Sequence, residues 1–194
     1  AANLSAPKAV PGTYKVHLTV NGNTKSQDFK IIPDPRAEVS VADMQKQHDF
    51  ISDINKSVDR AHQSIKKIRK VSAQLDAFMK QYKGNEEIKD LLDKAKKMKE
   101  DFGDIEKALY QTKNRSNQDP LNFPIRLTNK LGHLNSLVGF DDFPPTDQDV
   151  AVKNELTAQI NTQLETFDAL VDKEISDFNA AFNAANLNYL FIEE

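Results

Sequence analysis

Between Pro35 and Gly84 the chain contains neither glycine nor proline, and that uninterrupted stretch constrains the fold more than any other feature. Its apolar residues fall into heptads. One row is Met44, Ile51, Val58, Ile65, Ser72 and Met79; the other is Gln47, Ile54, Ala61, Ile68, Leu75 and Tyr82. Two such rows mark the buried side of a single helix. Ser40 with Asp43 three residues on resembles a capping box, with Asp in place of the usual Glu. The pattern predicts one helix of about 40 residues, roughly 60 Å at 1.5 Å per residue. Helices of that length in small proteins are rods or bundle staves.

Three further helices are expected. Gly84-Asn85 makes a turn, and Glu86-Glu87 suit the positive end of a second helix. Its stripe is Ile88, Leu91, Ala95, Met98, Phe102, Ile105, Leu109 and Thr112, with Gly103 beside it marking a bend. A polar stretch, Lys113 to Asp119, ends it. Pro124 then falls in the first turn of a shorter third helix with Leu127, Leu131, Leu134 and Val138 as its buried edge. Thr146, with Asp149 in the box position, caps a fourth helix whose stripe runs from Leu156 through Phe167 and Phe178 to Phe182. Short connections make consecutive helices antiparallel, so up-down-up-down is the economical order.

Ahead of Pro33-Asp34-Pro35 the period is different. Tyr14, Val16, Leu18 and Val20 alternate with Lys15, His17 and Thr19, the pattern of a half-buried strand. Asn21-Gly22 is a strong hairpin signal, because both residues tolerate positive φ. Thr24 to Ile32 is the returning strand. Two strands alone are marginal in water. The hairpin must therefore rest on the helices, gain another strand, or belong to a sandwich whose other strands are missing; the last is favoured. The apolar tail Leu187 to Ile192 can pack near the hairpin, as an added strand.

Composition narrows the function. Apolar residues at 39% and charged residues at 28% suit a folded domain and not a disordered one. The net charge of -3 argues against a nucleic-acid surface. With no cysteine, disulfides, zinc–thiolate sites and thiol nucleophiles are excluded. No apolar run approaches the roughly 20 residues that span a bilayer, so membrane insertion is not expected. Ala1 to Ser5 has neither a basic nor an apolar signal region, so the chain reads as cytosolic or as a mature or excised piece.

No arrangement with chemistry stands out. His48 and His62 are two heptads apart on one helix, about 21 Å, too far for one metal ion. Glu86, Glu87, Asp90 and Asp93 interleave with lysines as a solvated, pair-laced face. Asp141-Asp142 is an acidic pair in an apolar loop, read as capping or solvating that loop rather than as a glycosidase pair. Lys66, Lys67, Arg69 and Lys70 lack the interleaved aromatics of a nucleic-acid site. No catalytic residue, metal ligand or cofactor is expected. Asn122-Phe123-Pro124-Ile125-Arg126 is the most information-dense segment. It reads first as an ordered loop delivering Phe123 to the core, and second as a docking surface in which Arg126 and Asn129 meet a neighbouring module.

Several segments resemble a known family. Pro11-Gly12-Thr13-Tyr14 followed by Val16, Leu18 and Val20 is similar to the closing hairpin of FlgD-like or immunoglobulin-like sandwich modules. Gln118 to Leu127, with Asn129-Lys130-Leu131, resembles a signature near the C-terminus of exported bacterial BNR/sortilin-like β-propeller proteins, often labelled glycosyl-hydrolase-like. Asp34-Pro35-Arg36 and Pro145-Thr146-Asp147-Gln148 match the same pattern. The resemblance implies a C-terminal piece of such a protein, periplasmic or extracellular, with its propeller upstream. It transfers no catalytic residue.

The reading is thus a mainly α protein, an antiparallel up-down-up-down helical bundle with one very long first helix, preceded by a short β-hairpin. Residues 1–35 are the hairpin, a sandwich remnant, and residues 36–194 the bundle. The function expected is a non-catalytic accessory domain, a spacer or docking platform for upstream modules of the same polypeptide. The alternative is a self-contained interaction module that forms homo-oligomers. Asn122, Phe123, Arg126 and Asn129 are the candidate docking residues.

Overall fold

With no breaker to interrupt it, Val41–Gln81 forms one helix of 41 residues, α1. The Ser40 hydroxyl accepts the Asp43 amide at 3.1 Å and donates to the Asp43 carboxylate at 2.7 Å, which satisfies one free amide of the first turn. After the last turn comes Gly84 at φ +81°, a left-handed conformation that only glycine adopts freely. The computed structural model describes residues 4–116 and 118–187.

The remaining helices are α2 (Lys89–Leu109), α3 (Leu127–Val138) and α4 (Asp147–Leu170), the last continuing through a π turn at Val171–Ile175 into α5 (Ser176–Ala184). The chain is mainly helical, with a hairpin of β1 (Gly12–Val20) and β2 (Asn23–Ile31) ahead of the long first helix. The Asn85 side chain accepts the Glu87 amide at 3.0 Å where the second helix begins. Thr146 and Asp149 form a reciprocal box at α4, each amide bonded to the other's side chain at 2.9 and 3.2 Å. Two details differ from expectation. Helix α2 runs unbroken through Gly103, because its neighbour Phe102 is fully buried and holds that turn in place. Pro124 precedes α3 instead of opening it, since its carbonyl is taken by Gln111 at 2.7 Å.

The chain divides into two compact units, Ala1–Val58 with Leu131–Glu155, and Asp59–Lys130 with Leu156–Glu194. In the second, α2 runs against α1: Arg69 Nε meets Glu106 at 2.8 Å, Lys99 meets Asp76, and the His62 and Tyr110 rings lie 6.3 Å apart. The rings of Phe102 and Phe167 lie 6.0 Å apart, and those of Phe78 and Phe178 lie 5.2 Å apart, both edge-on, which seats α4 and α5 in the same core. Ile68, Ala95, Phe102, Leu109 and Ile160 have no exposed surface.

In the first unit Phe50, Ile51, Ile54 and Val58 of α1 share the core with Leu131, Leu134 and Val138 of α3. Helix α3 also runs against α1, as Asn55 meets Asn135 and Gln47 meets the Val138 carbonyl. Lys153 of α4 sits 4.8 Å from the centre of the Phe50 ring and 3.5 Å from Asp53.

The hairpin turns at Asn21 (φ +48°) and Gly22 (φ +79°), the two positive values its two-residue loop needs. Its register runs from Val20 opposite Asn23 to Gly12 opposite Ile31. Directly opposed residues share a face. One face therefore carries Tyr14, Val16, Leu18, Val20, Phe29 and Ile31; the other carries Thr13, Lys15, His17, Thr19 and their partners. Every residue of β1 is exposed, and so is every residue of β2 except Ile31. Of the three arrangements open to a lone hairpin, resting its strands on the helices is not adopted, and no third strand is paired to it among the described residues. The expected strand near the C-terminus falls largely on residues 188–194, which lie outside the described residues.

Phe102 gives the test of the second core. Phe102→Ala empties a fully buried site and should cost about 3–5 kcal/mol by urea denaturation; a loss below about 1 kcal/mol would contradict the packing described.

Candidate interaction surfaces

The segment ahead of α3 is shaped by one carboxylate. Asp119 accepts the backbone amides of Arg115 and Ser116 and the Ser116 hydroxyl. These bonds, the Arg115 amide first, hold its carboxyl below the ordinary value of 3.8. From the Asp119–Leu121 turn the chain is pinned at two more points. Gln111 Nε2 donates to the Pro124 carbonyl at 2.7 Å, and Thr128 Oγ1 donates to the Leu109 carbonyl at 2.8 Å. Thr128 and Gln111 are both buried, so these bonds close polar groups that water cannot reach.

The four candidate residues are distributed over this scaffold. Asn122 is exposed and closes the turn, its amide donating to the Asp119 carbonyl at 2.9 Å. Phe123 is half-buried, with Lys113 Nζ 5.6 Å from its ring centre. Arg126 is exposed and, with Lys130, borders a groove of about 400 Å³ whose other wall includes Gln163 and Thr162. Asn129 is half-buried one position before Lys130. Arg126 and Asn129 are thus near in sequence, but only Arg126 borders the groove.

A second surface is built where the chain enters the hairpin. The Ser5 carbonyl accepts from Asn55 at 3.0 Å and from Asn135 at 3.2 Å, and Asn135 also donates to Asn55 at 2.8 Å. Lys8 Nζ bonds the Asp141 carbonyl at 3.0 Å and the Asp142 carboxylate at 2.7 Å. Gln47 Nε2 faces the carbonyls of Val138, Asp141 and Phe143 at 2.8–3.0 Å, knotting the loop before α4 onto α1. Tyr14 Oη donates to the Val10 carbonyl at 2.7 Å. The base of the hairpin is held by these bonds, and beside it lies a crevice of about 160 Å³ bordered by Val10, Ile31 and Met44. Beyond the base the strands stand in solvent.

The ionisable groups meet in pairs, mostly on the surface. Asp141 accepts the Phe143 amide at 3.0 Å and Asp142 pairs with Lys8, so the adjacent carboxylates serve the loop in different directions. His17 bonds Ser26 at 2.6 Å and His48 lies 3.1 Å from Asp49. His62 is half-buried, and desolvation lowers its pKa. Among the described residues no three His, Asp or Glu side chains gather as a metal-binding group, and no helix is long and apolar enough to cross a membrane. Arg69 leaves its basic cluster for Glu106 and the Tyr110 ring, 5.6 Å away.

The sequence pattern did not disclose the buried polar knot. Gln47 stood in a heptad row, where a buried amide is the signal of a specific polar partner, but its partners are carbonyls about 90 positions distant. No family model, curated protein or solved structure matches the chain.

The Asp119 contacts set a pH dependence. Its folded pKa is depressed, so its contribution is complete above the ordinary 3.8 and lost as pH falls through the lower folded value. Nuclear magnetic resonance titration of the Arg115 and Ser116 amides should give a midpoint below 3.8; a midpoint at or above it would contradict the capping role.

Proposed function

We propose that this chain is a non-catalytic accessory domain, a spacer or docking platform for further modules of the same polypeptide. The observation that carries the reading is the interior of each unit. Apolar stripes at three-four spacing fill it, and the buried polar side chains, Gln47, Gln111, Thr128 and Asn135, bond backbone carbonyls or another amide. Among the described residues no ionisable side chain is fully buried, and many pair as on solvated helix surfaces.

The resemblance to exported BNR/sortilin-like propeller proteins supplies the wider setting. In that reading the polypeptide is periplasmic or extracellular, the propeller lies upstream, and chemistry resides there. Docking then uses the ordered 118–130 segment, with Arg126 at the groove and Asn122 exposed on the turn. No cofactor is required.

A second reading has its own observation. The apolar face of the hairpin is exposed while its opposite face is polar, and an uncovered apolar surface favours association. A self-contained interaction or oligomerisation module would use that face.

The upstream reading frame and a deletion together test the first reading. Strand-rich repeats should precede Ala1, and removing residues 36–194 from the longer polypeptide should spare its activity while lowering its thermal midpoint by several degrees. An unchanged midpoint and unchanged binding would sink the docking role; lost chemistry in a folded remainder would sink the non-catalytic one.

A further inference from the structure

The hairpin presents two unlike faces. On the polar one the opposed residues satisfy each other: Thr19 Oγ1 lies 2.8 Å from Thr24 Oγ1, His17 bonds Ser26, and Lys15 lies 3.6 Å from Asp28. On the other, Tyr14, Val16, Leu18, Val20 and Phe29 stand 36 to 65% exposed. The Tyr14 and Phe29 rings pack at 5.9 Å, and Lys25 opposite Leu18 is that face's one charged residue. β-branched and aromatic residues alternating along β1 suit a covered strand surface, yet nothing among the described residues covers it.

We propose that a second copy of this chain covers it, the two hairpins stacking apolar face on apolar face about a two-fold axis. The proposal rests on the self-association reading and names its surface. Area is the first argument. At these exposures the five residues offer ~100 Å² of apolar surface apiece, about 500 Å² per copy. Two copies together remove about 1,000 Å² from water, the lower bound for a specific interface. A partial contact would fall below that bound, so the whole face is needed.

Shape is the second argument. A two-fold contact sets one patch against itself, and an antiparallel stack lays each tip, Leu18 and Val20, over the other copy's base. There the crevice of about 160 Å³ bordered by Val10, Ile31 and Met44 opens, a volume that takes a group the size of a benzene ring. Lys25 sits near the tip on β2, the outer strand relative to the β1 ridge, where its long stem can reach water.

Sedimentation equilibrium and light scattering on the full chain from about 1 to 100 µM test this. The expected result is a dimer with a dissociation constant on the order of 10 µM, in keeping with the small area. Leu18→Lys should raise that constant on the order of 100-fold, and Val16→Thr, which keeps a β-branched strand former, about 10-fold. Thr19→Lys, on the polar face, should leave it unchanged. Circular dichroism should show the same helix content in all three. A chain monomeric at about 100 µM would overturn both the proposal and the self-association reading, and would return the face to strands from another module. A dimer unmoved by both face variants would overturn the proposal alone.

Discussion

The apolar stripe of α1 is the constraint on which each unit depends. Phe50, Ile51, Ile54 and Val58 give the first unit its side of the core, and Ile65, Ile68, Leu75 and Phe78 do the same for the second. Propensity alone would not hold a helix of that length as a single element; burial of one face against packed neighbours does. A glycine or proline within either half would cost the helix hydrogen bonds and, through them, the alignment of every partner side chain. That is why the stretch from Pro35 to Gly84 tolerates neither, and why its first breaker coincides with its end.

The polar groups divide into two kinds. A few are buried and bonded, as with Gln47 on the carbonyls of Val138, Asp141 and Phe143, and Thr128 on that of Leu109. Such bonds stabilise modestly when made and cost about 1–3 kcal/mol when one partner is lost, so they fix which loop lies where. Among the described residues the Oδ1 atoms of Asn114 and Asn135 are the exceptions, buried without a hydrogen-bond partner. The second kind lies on the helix surfaces as lysine–carboxylate pairs three or four residues apart. These keep the outer faces hydrated and add little stability each. The hairpin follows neither scheme. Its base is anchored by Ser5, Lys8 and Tyr14, while its apolar face is left in water, at odds with the economy of the rest.

Much of this was legible in the residues. The heptads gave α1 almost to its ends, because burial follows period directly. Asn21-Gly22 gave the turn, since few other pairs accept two positive φ values. Ser40 and Thr146 marked helix starts through chemistry confined to three residues. What escaped was non-local. Pro124, whose φ suits a first helical turn, only precedes α3 because Gln111, 13 positions earlier, holds its carbonyl. The knot of Gln47, Asn55, Asn135 and Ser5 spans up to 130 positions, and no window along the chain contains it. For the candidate docking residues, sequence showed that the segment is ordered but not that Arg126 alone among them borders the groove.

A two-stranded hairpin with an exposed apolar face should be stable only when that face is covered, and amide hydrogen exchange measured across protein concentration tests this most directly. Exchange in β1 and β2 should slow as concentration rises from about 1 to 100 µM, while buried α1 positions such as Ile54 and Ile68 stay protected throughout. Hairpin amides that exchange at the same rate at every concentration would contradict the account.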